Sequence, residues 1–289
     1  MTDDPVFEEI NEAKANMDDI YDQPDPRAYF RELKKVGYTI PNDAKPIFQK
    51  LISQRRRRQG DMVHVLDLGC SYGVNAALLK HDLSIEDLYE HWGQEKLADA
   101  TLEEVVERDR HFFADLDESQ DIEVIGLDIA ENAVVFAEEA GLLDEGITVN
   151  LETEPLPVLA EEDLAQIDLV TSTGCVGYVT EKSFDRLLPA ITPGRKPWIA
   201  NFVLRMFPFG AIEESLSDWG YVTEKLDGQT FVQREFASSE EREQVLDQMR
   251  EKGIDPSGRE TEGRLLAEFY LSRPAKDADE MPIERLFAT

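Results

Sequence analysis

The sequence predicts an α/β fold: a mostly parallel, seven-stranded sheet with helices on both faces. Two observations predict it. From Met62 onward, short apolar runs alternate with amphipathic stretches, the pattern of parallel strands joined by right-handed helical crossovers. Hydrophobic residues make up 42% of the 289, enough to bury a full core in one large domain.

The elements follow in order. Residues 1–60 read as an N-terminal helical segment, with Val6, Phe7 and Ile10, then Tyr29, Phe30, Leu33 and Val36, at helical spacing. Pro24, Pro26 and Pro41 end helices or set turns there. The basic run Arg55–Arg58 reads as a solvated loop before the first strand. A main domain spans 61–275, with strands at Val63–Leu68, Glu123–Leu127, Ile147–Leu151, Ile167–Thr171 and Trp198–Leu204. Helical stretches at Val74–Leu79, Ala130–Ala140 and Phe184–Leu188 fall between them. Later apolar runs at Tyr221–Leu226, Phe231–Phe236 and Glu268–Ser272 read as further strands, the last edging the sheet before a frayed tail over 276–289. Segment 80–121 interrupts the alternation as a helical insertion. Ser84 and Thr101 begin capping sequences for two helices, read as a packed decoration, with a substrate lid or a homodimer contact as the alternatives.

Charge narrows the function classes. Asp and Glu number 61 against 30 Lys and Arg, for a net charge of −31, and a field of that sign repels nucleic acid and anionic membrane surfaces. The first residues are acidic with no apolar signal core, and no run is long enough to span a membrane, so a cytoplasmic protein is expected. Cys70 and Cys175 are too few for a disulfide framework, and the four histidines lack the spacing of a metal site, so no metal is expected.

The chemistry concentrates in Asp67-Leu68-Gly69-Cys70-Ser71-Tyr72-Gly73, an apolar strand running into a glycine turn and then a helix. Glycines there let a ligand approach the backbone at the carboxyl end of a strand, where open α/β sheets bind ligands. Gly69 and Gly73 stand four apart, which departs from the dinucleotide fingerprint, and no Gly-Lys pair supplies a P-loop.

These residues resemble the first motif of the class I S-adenosylmethionine-dependent methyltransferases, with Ser71 in place of the middle glycine. The resemblance implies a Rossmann-like methyltransferase fold, S-adenosyl-L-methionine as cofactor and S-adenosyl-L-homocysteine as product. It implies that Gly69, Cys70, Ser71 and Gly73 wrap the methionine part while Asp67 holds its amino group. Asp128, closing the second strand, is similar to the family's ribose-binding acid, and Ile129 would pack on adenine. Glu152, with Glu154 as second choice and Thr153 between them, matches the loop that meets the adenine amino group. Ser172 and Thr173, after the fourth strand, match the place where substrate and cofactor meet. The implied reaction is in-line methyl transfer to a small-molecule acceptor, mainly by positioning; a protein methyltransferase or a non-catalytic cofactor-binding scaffold are the alternatives. Tyr178, His91 and His111 are the candidates for a catalytic group, and Tyr21, Tyr29, Cys175 and Arg205 for the acceptor pocket or its lid.

The scarcity of lysine, 12 against 18 arginines beside so many acids, points to adaptation to high salt. Stability to urea is therefore expected to rise from low to molar KCl; a flat or falling series would contradict it.

Overall fold

The computed structural model describes residues 5–14, 17–60, 62–94, 97–117 and 121–288. The acidic first residues Met1–Asp4 read above lie outside them. The chain divides into two compact units, Met17–Val149 and a second made of Met1–Asn16 with Asn150–Thr289.

In the unit 17–149, β1 (Val63–Leu68), β2 (Ile122–Asp128) and β3 (Glu145–Thr148) run parallel in the order β3-β2-β1. β1 and β2 are buried at nearly every position, as strands of a parallel sheet covered on both faces are. The third strand lies earlier than its apolar run predicted, ending at Thr148. The run beyond it bends away at Asn150, whose side chain accepts the N–H of Glu152 at 3.0 Å.

The N-terminal segment supplies helices Arg27–Lys35 and Ile40–Gln59. Pro41 falls in the first turn of the second, where no N–H is missed. The arginine run is a correction: Arg55–Arg58 lies in the last turns of that helix, where the dipole favours cations, and Arg56 pairs with Asp121.

The insertion forms helices Ile85–Trp92 and Leu102–Ala114, each started by a capping box at Ser84 or Thr101. It packs on the N-terminal helices. Phe30 stacks on Trp92 at 4.3 Å, the Tyr89 hydroxyl donates to the Tyr38 carbonyl at 2.7 Å, and Arg27 donates to the Ala100 carbonyl at 3.0 Å.

In the other unit, β4 (Leu169–Thr173) and β5 (Trp198–Leu204) are parallel, followed by β6 (Tyr221–Lys225), β7 (Phe231–Glu235) and β8 (Arg264–Pro274). The last strand does not edge the sheet. It lies between β5 and β6, antiparallel to both, and pairs also with β7. Its charged residues are neutralised in place: Arg273 pairs with Glu224, and Glu268 with Lys225 at 2.7 Å. Eight strands thus stand among the described residues, one for each apolar run read as a strand and one more than the seven-stranded sheet expected.

The segment expected to fray forms helices Ala275–Glu280 and Ile283–Leu286. Asp277 accepts the Trp198 indole N–H at 2.7 Å, and Glu224 accepts the Ile283 N–H at 2.8 Å.

Phe30 is 1% exposed. Phe30→Ala is expected to cost about 3–5 kcal/mol in urea unfolding. A cost below about 1 kcal/mol would mean that the insertion is not packed on the N-terminal helices as described.

Candidate functional site

In the unit 17–149, β1 delivers Asp67 into the interior, where its Oδ1 accepts the Asn75 side-chain N–H at 2.9 Å. The following turn is left-handed three times: Gly69 at φ 77°, Ser71 at 46° and Gly73 at 71°. Gly73 also needs to be small, since a Cβ there would stand 3.2 Å from the Cβ atoms of Ala137 and Leu142. Ser71, the one residue of the three with a side chain, is held in a conformation that costs an L-residue about 1–2 kcal/mol.

What holds it is the end of β2. The Gly69 and Cys70 N–H groups donate to the Leu127 carbonyl at 2.8 and 3.4 Å. The Ser71 N–H donates to Asp128 Oδ2 at 2.8 Å, while Asp128 Oδ1 accepts from the Ala130 N–H at 3.0 Å. The Cys70 thiol is buried against β2, in space that a Cβ on Gly126 would need. Ser71 Oγ is buried with no hydrogen-bond partner among the described residues.

Burial pushes the Asp128 carboxyl above its usual range, and the nearby Asp22 carboxylate adds to this. The backbone N–H groups of Ala130, Ser71 and Ile129 oppose the rise. Ile129, next in sequence, is 57% exposed, an apolar side chain left uncovered beside a half-buried acid.

Residues missed in the sequence complete this arrangement. Tyr72 donates its hydroxyl to the Gln23 carbonyl at 2.8 Å, and Asp22 accepts the Asn132 N–H at 2.8 Å, tying the stretch 20–23 to the turn and to the helix Glu131–Glu139. An aromatic inside a glycine turn was the one signal available. Tyr29 is buried against the Tyr72 ring at 5.3 Å, and the more exposed Tyr21 meets it edge-on at 5.5 Å.

The histidine candidates lie in the insertion. His91 is enclosed there: its Nε2 is 2.7 Å from Asp109 Oδ1, and its ring stacks on Phe112 at 3.9 Å. The Trp92 N–H takes the other Asp109 oxygen at 2.6 Å. His111 faces outward beside Glu107 at 3.0 Å.

In the other unit, Glu152 is buried and its carboxylate accepts from the Thr180 N–H and hydroxyl, both at 2.8 Å, and from the Ser183 hydroxyl at 2.6 Å. It anchors the start of the helix Glu181–Ile191. Thr153 and Glu154 donate their N–H groups to the Asn150 carbonyl, and both side chains are exposed.

Ser172 and Thr173, expected after the fourth strand, are the last two residues of β4; Ser172 Oγ lies 2.9 Å from Sγ of Cys175 in the loop that follows, and Thr173 is half-buried. Tyr178 is 41% exposed, with the Lys14 ammonium 4.8 Å from its ring. The helix Pro5–Glu12 covers this loop: Asn11 donates to the Gly177 carbonyl at 2.8 Å, and Phe7 stacks on Phe207 at 5.9 Å. The Arg205 side chain is 5% exposed and ion-paired to Glu260 and to Glu268 at 3.5 Å, so its guanidinium is already engaged.

No protein-family model and no curated protein matches the sequence. Solved structures do. The plantazolicin methyltransferase BamL, solved with a triazolic desmethylPZN analogue and SAH, matches with TM-score 0.48 and 13% identity over 93% of this chain and 97% of its own. A precorrin-6y C5,15-methyltransferase from Geobacter metallireducens matches with TM-score 0.41 and 10% identity over 81% of this chain and 88% of its own. The magnesium protoporphyrin IX methyltransferase from Synechocystis, solved with SAM, matches with TM-score 0.37 and 11% identity over 79% of each chain. Among the described residues, no helix is long and apolar enough to cross a membrane, and no group of His, Cys, Asp and Glu could hold a metal ion.

Because the folded Asp128 value is raised, its contribution to stability is present below the unfolded value and is lost as pH rises through the folded one. A carbon-13 NMR titration of Asp128 is expected to give a midpoint above 3.8. A midpoint at or below that value would contradict the burial described.

Proposed function

We propose that the protein transfers a methyl group from S-adenosyl-L-methionine to a small-molecule acceptor, chiefly by positioning. The observation that carries this reading is the Gly69–Gly73 turn fastened to Asp128, with a Ser71 hydroxyl unpartnered among the described residues and an uncovered Ile129 beside it. The donor set fits the cofactor. An ionised carboxylate only accepts, which suits a pair of ribose hydroxyls at Asp128. Ile129 offers an apolar face for a base, and the backbone of Gly69, Cys70, Ser71 and Gly73 leaves room for close approach. Asp67 is the group of the right charge for the methionine ammonium.

When bound, the cofactor supplies a methyl group on a sulfonium, an electrophile already activated. The protein's part is to orient the acceptor atom behind that methyl and exclude water. A general base is required only where the acceptor must lose a proton to react, and Tyr178 is the exposed hydroxyl on the loop after β4 available for that. The roles of Thr153, Glu154, Ser172, Thr173 and Cys175 rest on the motif resemblance. Glu152 and Arg205 are better read as structural, given the partners they already have.

Thermal unfolding in high-salt buffer tests this. S-adenosylhomocysteine and S-adenosylmethionine, added separately, are expected to raise the midpoint by mass action, while NAD and NADP leave it unchanged. Asp128→Ala is expected to weaken the homocysteine form about tenfold or more. A rise with NAD, or none with the sulfur cofactors, would remove the reading.

A further inference from the structure

The loop after β4 is flanked by two buried amide side chains that the reading above does not use. Asn201, in the middle of β5, pairs in register with Ser172 on β4 and with Tyr270 on β8. Directly paired residues stand on the same face of a sheet, so the Asn201 amide shares a face with Ser172, whose hydroxyl meets Cys175 Sγ. Asn201 is fully buried, and neither its Nδ2 nor its Oδ1 has a hydrogen-bond partner among the described residues.

Gln233 reaches the same loop from β7. It sits where the β7–β8 register shifts between Val232 and Arg234, an irregularity of the kind that re-aims a side chain. Its Nε2 occupies the space that a Cβ on Gly174 would need, while its Oε1 is buried and unpartnered among the described residues. The next residue is clamped: Arg234 makes two bonds to Glu241, at 3.0 and 2.5 Å, and Glu241 also accepts the Ala237 N–H at 2.6 Å. Gln233 is therefore presented on a fixed backbone.

A buried amide atom without a partner destabilises the fold, and three beside one loop, both polar atoms of Asn201 and Oε1 of Gln233, call for a ligand that satisfies them. Neither carries a charge, so an ionic group buried against them would be left uncompensated. Asn201 offers a donor and an acceptor, and Gln233 a second acceptor. The complement is a neutral, planar group bearing C=O and N–H together. We propose that Asn201 and Gln233 recognise an amide-type group of the acceptor, a carboxamide or a lactam-like ring edge. That the molecule is a methyl acceptor rests on the reading above; the amide site itself does not.

The test is thermal unfolding of the wild type, Asn201→Leu and Gln233→Met, each with and without S-adenosylhomocysteine, joined to diffraction from wild-type crystals soaked in acetamide. Both variants are expected to unfold about 2 °C or more above the wild type, because each removes at least one buried amide atom that lacks a partner. The shift with S-adenosylhomocysteine is expected to be equal in all three, and acetamide to lie hydrogen-bonded to Asn201 and Gln233. Lower midpoints in both variants, or crystals in which the two amides bond to protein groups and take up no acetamide, would overturn the proposal. Higher variant midpoints with acetamide bound, but no shift with S-adenosylhomocysteine in the wild type, would support the amide site and remove methyl transfer.

Discussion

The hydrogen bond from the Ser71 N–H to the Asp128 carboxylate is the constraint on which the arrangement of the glycine turn depends. Ser71 has a side chain and a positive φ, a conformation that persists only where its surroundings over-determine it. They do so here from one direction. Leu127 takes the N–H groups of Gly69 and Cys70, and Asp128 takes that of Ser71, so the end of β2 is the template on which the turn is shaped. The same bond fixes a carboxylate whose remaining lone pairs are available to another donor.

The template survives a long excursion of the chain. Asp128 follows Asp67 by 61 residues (128 less 67), where a simple strand-helix-strand unit needs about 20. Extending a loop to that extent adds only about 1 kcal/mol of closure entropy. The parallel register, with Asp67 beside Gly126 and Leu68 beside Leu127, restores the geometry whatever lies between. The intervening helices are ordered by their own contacts, notably Phe30 on Trp92 and the buried Asp109 shared by His91 and the Trp92 indole. His91 is thereby a structural group, whereas spacing alone left it open as a base.

The parts legible in the sequence are those set by local chemistry. Both capping boxes, the apolar strands β1, β2, β4 and β5, and the turn at Gly69–Gly73 all follow from neighbours within a few residues. What was not legible depends on partners distant in sequence. The last strand read as an edge, yet it pairs on both sides, and its Glu268 and Arg273 are neutralised across the sheet. Arg205, a candidate for the acceptor pocket or its lid, is bound by Glu260; Glu152, matched to the loop that meets adenine, anchors a helix through Thr180 and Ser183. Asn201 and Gln233 gave no signal, since lacking a partner is a property of the folded surroundings. The acidic composition predicted a charged surface but not how much of the interior is also held by ion pairs, Arg234 with Glu241 among them.

The central claim is that the carboxylate shaping the turn is also the one that receives a ribose. Titration calorimetry of S-adenosylhomocysteine against its 2′-deoxyribose analogue isolates that contact without altering the protein. The account predicts that loss of the hydroxyl weakens binding by about tenfold, the worth of one hydrogen bond to a charged acceptor. Equal affinities for the two would contradict it.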